Sequence, residues 1–208
     1  MWDPTGTISR ALWIGGGQWA GKSTVARLLA VRHGLTAYHY DYHDARGHFD
    51  RRIARGESVE RDPDRNWVRR APEEMAADAR AIFALRFEWT LDDLRALDSP
   101  RPLIAEGWGL RPEFVVPLLD SPRRMIVMVP TEEFQRHQAA TLPRAGSISH
   151  EVSDPERAQQ NRLARDRLLA QDAGARAREL SVRVLEVDGS RETEEVADQV
   201  ADHFRPYL

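Results

Sequence analysis

The chain has 208 residues, 41% hydrophobic and 30% charged, with a formal net charge of -3. The length suits one α/β domain with a sizeable core, and the near-neutral total argues against wholesale wrapping of nucleic acid. Zero cysteines exclude a disulfide framework, an iron–sulfur cluster, a thiolate zinc site and a cysteine nucleophile.

No apolar run approaches the roughly 18–20 residues that span a bilayer, and the N-terminus carries no signal-peptide pattern. The expected location is the cytoplasm. Of the 30 basic residues, 29 are arginine, and the single lysine is Lys22.

In chain order, Ala11-Leu12-Trp13-Ile14 reads as a buried strand. Gly21 to Arg32 reads as a helix with Gly34 just past its end as a C-cap. Leu35 to Tyr40 is a second strand candidate. Pro72, backed by Glu73 and Glu74, opens a long helix toward Leu97, because proline suits the first helical position and carboxylates suit the positive end of the helix dipole. Met75, Ala79, Ile82, Phe83, Phe87, Leu91 and Leu94 keep helical spacing along it.

Pro102-Leu103-Ile104-Ala105 is a third strand, Pro112 starts another helix, and Arg124 to Val129 is a fourth strand ended by Pro130. Asp154-Pro155-Glu156 supplies a cap, an N1 proline and an acid for a helix toward Gln171. Val182 to Val187 is a fifth strand, followed by an Asp188-Gly189 turn and a last helix from Glu192 to Phe204. Strands alternating with helices predict a single α/β domain over 1–208, with a parallel sheet covered on both faces.

Between the first strand and the first helix, Gly16-Gly17-Gln18-Trp19-Ala20-Gly21-Lys22-Ser23 fits G-x-x-x-x-G-K-[ST]. Glycines let successive backbone N–H groups turn toward one anion, and the helix that starts there adds its dipole. Lys22 places charge on the β/γ-phosphates, and Ser23 offers a hydroxyl to Mg²⁺. Gly16 to Thr24 are the expected nucleotide-binding residues. Trp19 is unusual there for its bulk; packing against a neighbouring loop and stacking on a ligand are both open.

With this loop the chain resembles the small P-loop kinases, a group that includes adenylate and shikimate kinases, chloramphenicol phosphotransferase and the zeta-type toxins. The resemblance runs from the phosphate loop to the last helix. It implies the P-loop NTPase fold, three α/β/α layers around a five-stranded parallel sheet of order 2-3-1-4-5. It also implies ATP with Mg²⁺ as cofactors and transfer of the γ-phosphoryl group. A helical substrate-binding region at about 42–97 and a lid-like segment at about 141–167 follow from the same comparison. Other P-loop classes fit worse: the chain has no N-K-x-D guanine motif and no apolar run ending in Asp-Glu.

The second strand ends in His39-Tyr40-Asp41-Tyr42-His43-Asp44. Ligands of open α/β sheets sit beyond the carboxyl ends of the strands. Asp41 is therefore expected at the site mouth, where related kinases keep a carboxylate that accepts or orients the proton of an attacking hydroxyl. An alternative for Asp41 is a loop turn or helix cap, and Asp44 could be the cap instead. His39, Asp41 and His43 alternate, as metal ligands on an extended strand would, but a free carboxylate beside a phosphate loop has a simpler use and solvated histidines are common, so no dedicated protein metal site is expected.

The third strand runs into Glu106-Gly107-Trp108-Gly109-Leu110-Arg111, which resembles the Asp-Gly-Phe-Pro-Arg pattern of adenylate kinases. Glu106 takes the acidic position, where it would meet Mg²⁺ through water or help orient the substrate. Gly109 stands where the pattern has proline, and the arginine comes one residue late.

Residues 46–70 hold eight arginines against five acids, and residues 157–183 hold seven against three. Solvated faces with local ion pairs would explain both, and Arg162 with Asp166 could pair along a helix. The resemblance instead assigns Arg162 and Arg165 to neutralising charge on the transferring phosphoryl, with Arg144 a weaker candidate. It also places the adenine against the turn containing Gly189.

Trp67, Trp89, Trp108, Tyr40 and Tyr42 could stack a base or sugar, or belong to the core. The expected substrate is a small anionic or hydroxyl-bearing molecule and no membrane is involved. Polynucleotide or activated-sugar kinase activity ranks second, and a nucleotide-binding regulatory module third.

Overall fold

A computed structural model describes residue 3 and residues 5–57, 62–97, 99–142 and 151–208. Five strands, β1 (Leu12–Gly16), β2 (Thr36–His39), β3 (Leu103–Glu106), β4 (Met125–Pro130) and β5 (Arg183–Val187), form one sheet in the order β2-β3-β1-β4-β5. Every pairing is parallel. The parallel sheet is what the alternation of elements predicts, and its strand order is the one that the resemblance implies.

Helices cover both faces of the sheet because every side chain of β1 and β3 is buried. Alternation along each strand sorts those side chains. Leu12, Ile14, Ile104, Ile126 and Met128 pack on one face with Val25 and Leu29 of α2 (Lys22–His33) and Val196, Val200 and Phe204 of α9 (Thr193–Phe204). Trp13, Leu103, Ala105, Met125 and Val127 point the other way. They meet Phe87, Leu91 and Leu94 of α5 (Pro72–Ala96) and Ala173 and Ala177 of α8 (Pro155–Glu179). Each buried large apolar side chain contributes roughly 1.5–3 kcal/mol.

The elements between them are α1 (Thr7–Arg10), α3 (Tyr40–His43), α4 (Phe49–Ala54), α6 (Pro112–Val115) and α7 (Glu132–Thr141). The expected caps form. Gly34 ends α2 in the left-handed region at φ 65°, and Asp154 accepts a hydrogen bond from the Arg157 N–H at 3.0 Å.

Several elements depart from expectation. The helix that opens at Asp154 runs on to Glu179, and the one that opens at Pro112 has a single turn. Helix α7 is absent from the elements read in the sequence, although Thr131 caps it by accepting from the Phe134 N–H and Glu132 and Glu133 open its first turn. Strand β2 stops at His39 and turns directly into α3, which continues through a π-helical turn (Asp44–His48) into α4. An extended run through His43 is thus replaced by helix, and His39, Asp41 and His43 diverge. Among the described residues no group of three or more His, Asp and Glu side chains could hold a metal ion, and no helix is long and apolar enough to cross a membrane.

A buried polar network ties that helix to α5. Asp93 accepts from Tyr38 Oη at 3.0 Å, His48 Nε2 at 3.0 Å and Arg51 Nη2 at 2.6 Å, with His43 Nδ1 at 3.3 Å. Asp44 accepts from Arg86 at 2.7 Å and lies 3.6 Å from Nδ1 of the fully buried His48. Desolvation alone would raise the Asp93 carboxyl, but the hydrogen bonds from His48, Tyr38 and Arg51 outweigh it and hold the group at about 2. A carboxyl depressed in the folded state stabilises the fold above its ordinary pKa, and that contribution is lost as pH falls through the folded value. Asp93→Asn should therefore lower stability by about 2 kcal/mol at neutral pH, with the deficit shrinking as pH approaches 2. Urea unfolding across that range checks this, and a pH-independent difference would contradict it.

Candidate active site

The carboxyl ends of all five strands open on one edge, and β1 delivers the glycine-rich loop of residues 16–23 to its middle. Space dictates the glycines there. A Cβ on Gly16, which sits at φ 113°, would fall 2.2 Å from the Met128 carbonyl oxygen. One on Gly17 would fall 2.7 Å from the Ala170 side chain, so the loop passes between β4 and α8 as bare backbone. Gly21 has open space around it but adopts φ 78°, which leads the chain into α2. Lys22 is only 5% exposed, and its Nζ donates to the Gly17 carbonyl at 2.6 Å across the loop.

Two pockets meet at the loop. One, of about 210 Å³, is lined by Gln18, Trp19, Gly21, Lys22, Ser23, Thr24, Asp41 and Arg162. The other, of about 540 Å³, shares Gly21 and Thr24 with it and continues past Ala20, Val25, Phe134, Gln138, Val187, Arg191 and Thr193. The first is polar and holds charges of both signs; the second has the apolar walls that suit a nucleoside. Gly189 does not line the larger pocket directly. At φ 82° it leaves room for the Phe134 ring, which a Cβ would meet at 2.6 Å, and Phe134 forms part of the wall.

The two strand-end carboxylates occupy different environments. Asp41, in the first turn of α3, keeps its side chain open to the small pocket. The Trp108 N–H points at its Oδ1 from 3.5 Å. Crowding by the pocket walls raises the Asp41 carboxyl to about 6; Lys22 pulls it down, while Glu106 adds to the rise. Glu106 is 1% exposed, next to β1 in register with Ile14. His39 Nδ1 donates to its Oε1 at 2.8 Å, while its buried Oε2 has no hydrogen-bond partner among the described residues. A carboxylate oxygen in that position fits a magnesium-bound water, since a buried acceptor without a partner is unfavourable.

The arginines divide. Arg162 lines the small pocket, with its guanidinium 5.1 Å from the Trp19 ring centroid. Arg165 is not among the residues lining that pocket. Its guanidinium stands over Trp67 at 4.8 Å and Trp108 at 5.5 Å, and it donates to Asp166 Oδ1. Asn161, on the same helix face, donates to the carbonyls of Trp67 and Val68.

Arg111 is fully buried, paired with Glu113 and Asp172 and bonded to the Leu169 carbonyl; its late position in the motif goes with a structural role. Gly109 stands where the proline was expected because the Tyr40 ring fills the space, lying 2.2 Å from where a Cβ would be. Arg144 lies outside the described residues.

Asp166 was missed at the sequence level except as a partner for Arg162. It is 1% exposed, and its Oδ2 accepts the Trp19 indole N–H at 2.9 Å. An acid on a polar helix gives no hint of a partner 147 positions away. Trp19 itself is 5% exposed and packs inside the protein. Trp89 and Tyr40 are core, whereas Tyr42 is exposed.

No protein-family model matches the chain, and no curated protein sequence matches it. Among solved structures it is similar to a gluconokinase from Sinorhizobium meliloti 1021, at 14% identity over 96% of this chain and 93% of that one, with a TM-score of 0.46. A shikimate kinase from Aquifex aeolicus vf5 aligns at 16% identity over 93% and 95%, with a TM-score of 0.41. A shikimate kinase from Acinetobacter baumannii in complex with shikimate aligns at 17% identity over 98% of both chains, with a TM-score of 0.49.

The Asp41 environment makes a testable statement about the free protein. In a ¹³C carboxyl titration Asp41 should titrate near 6, move down in Glu106→Gln and move up in Lys22→Met. Its ionised form is present above that value and lost as pH falls through it. A titration near 4 that ignores both substitutions would contradict the described electrostatics.

Proposed function

We propose that the protein is an ATP-dependent phosphotransferase, a P-loop kinase that moves the γ-phosphoryl group to a hydroxyl or phosphate oxygen of a small molecule. The observation that carries this reading is the small pocket itself: a phosphate loop with its lysine, a carboxylate and an arginine all face one space. A regulatory nucleotide sensor needs the loop but has no use for an acceptor-facing carboxylate of raised pKa.

In this reading the backbone N–H groups of residues 18–23 surround the phosphates, while the Gly17 N–H stays on the Met128 carbonyl and the Lys22 ammonium leaves the Gly17 carbonyl for them. The nucleoside lies in the larger pocket between Thr24, Val25, Phe134 and Arg191. Ser23, together with Glu106 through water, would hold Mg²⁺, which supplies charge neutralisation on the phosphates.

Asp41 faces the acceptor. The attacking oxygen forms a bond to the γ-phosphorus as the bond to the ADP oxygen breaks, and its proton passes to Asp41. Glu106 is the poorer candidate for that proton, because it is buried and held by His39. Arg162 faces the charge that develops on the transferring group.

Four of the eight arginines of residues 46–70 are taken up in ion pairs: Arg51 with Asp93, Arg52 with Glu57, Arg69 with Asp62 and Arg70 with Asp78. This favours a small acceptor over a polynucleotide backbone, which is bound by rows of basic side chains that release counterions.

Incubation with Mg–ATP and a panel of sugars, nucleosides, nucleotides and hydroxy acids, with product mass measured, should reveal an adduct 80 Da heavier, about the mass of one added PO₃H group. Lys22→Arg should abolish it with the fold intact, since a planar guanidinium fork does not replace a compact ammonium inside the loop. Full transfer by that variant would contradict the assignment.

A further inference from the structure

Trp19 is an odd residue for a phosphate loop. It is bulky, it adopts φ 71° in the left-handed region that disfavours side chains, and its ring is turned into the protein. Two contacts account for keeping it. Its indole N–H is anchored on Asp166 Oδ2 at 2.9 Å, within a buried pair. Its face lies 5.1 Å from the guanidinium of Arg162, one helical turn before Asp166 on α8. An indole fixed at its edge is a platform of defined orientation, and a cation on its face loses little further freedom when it meets an anion.

Resting on the kinase reading, we propose that Trp19 is a positioning residue. It holds Arg162 over the phosphate loop, so that the cation facing the transferring phosphoryl is built in with the loop rather than delivered by a closing segment.

Asp166 holds Trp19 with one carboxylate oxygen and Arg165 with the other. Its Oδ1 is taken by Arg165 Nε at 2.9 Å, and Arg165 is itself braced between Trp67 and Trp108. Asn161 fastens the Trp67 segment to the same helix through the Trp67 carbonyl at 2.9 Å. The first half of α8 is thereby fixed to the phosphate loop, to the segment after β3 and to the π-helical turn of Arg65–Arg69. The strain at Trp19 persists because these contacts over-determine it.

A cycle of Trp19→Leu and Arg162→Ala tests this on the full chain. The probe is the affinity for ADP–Mg–fluoroaluminate, a mimic of the transferring phosphoryl, relative to ADP–Mg alone. Each single substitution should reduce that preference roughly tenfold, and the double variant should lose no more than Arg162→Ala does. A merely structural tryptophan would give losses that multiply to about a hundredfold, or would leave the preference intact, and either result overturns the proposal. Should Trp19→Leu fail to fold, Trp19→Met, which fills much of the volume without a ring face, takes its place in the cycle with the same two outcomes.

Lys22→Ala separates the two levels. If it removes ADP–Mg binding while the cycle is additive, only the positioning role falls. If it binds as the wild type does, the kinase reading falls and takes the positioning role with it.

Discussion

The site depends on the passage of bare backbone between β4 and α8 at the end of β1. Gly16 lies against the Met128 carbonyl and Gly17 against Ala170, so neither tolerates a side chain. The Gly17 N–H donates to the Met128 carbonyl at 2.9 Å, which pins the loop to the end of β4. Burial of β1 between β3 and β4 keeps the passage fixed, because the strand cannot shift without moving both layers of the core. Asp41 and Glu106 reach the loop only because β2 and β3 are parallel to β1 and end at the same edge.

Charge is distributed around this centre by burial. The two carboxylates near Lys22 differ in what surrounds them. Glu106 is enclosed and held at one oxygen, while Asp41 remains open to the pocket with its carboxyl pushed up to about 6. Arginine does the structural work elsewhere, as in the buried Arg111 and in Arg86 beside Asp44. Its planar fork satisfies several acceptors at once. The chain's one lysine sits where a small ammonium must fit against a carbonyl 2.6 Å away.

Much of this was legible in the sequence because the signals are local. The loop motif, the short apolar runs and the caps at Gly34 and Asp154 each occupy a few consecutive residues. The parallel-sheet rule then carries Asp41 and Glu106 to the loop without further information. Contacts made across the fold were not legible. The Trp19–Asp166 bond, the bracing of Arg165 between two tryptophans and the burial of Arg111 join residues far apart in the chain, and no periodicity marks them. The alternation of His39, Asp41 and His43 carries no such information. It suits a strand, but the polar network of Asp44, His48 and Asp93 is formed by a helix that begins at Tyr40.

The central claim is that the loop of residues 16–23 binds a nucleoside triphosphate with Lys22 as its cation. The most direct measurement is a crystal structure of the protein with Mg²⁺ and a non-hydrolysable ATP analogue. The account predicts the phosphate chain inside the loop of residues 16–23, Lys22 Nζ moved from the Gly17 carbonyl to a phosphate oxygen, and the base in the pocket beside Phe134. A nucleotide bound elsewhere, or Lys22 still bonded to Gly17 beside a bound triphosphate, would contradict it.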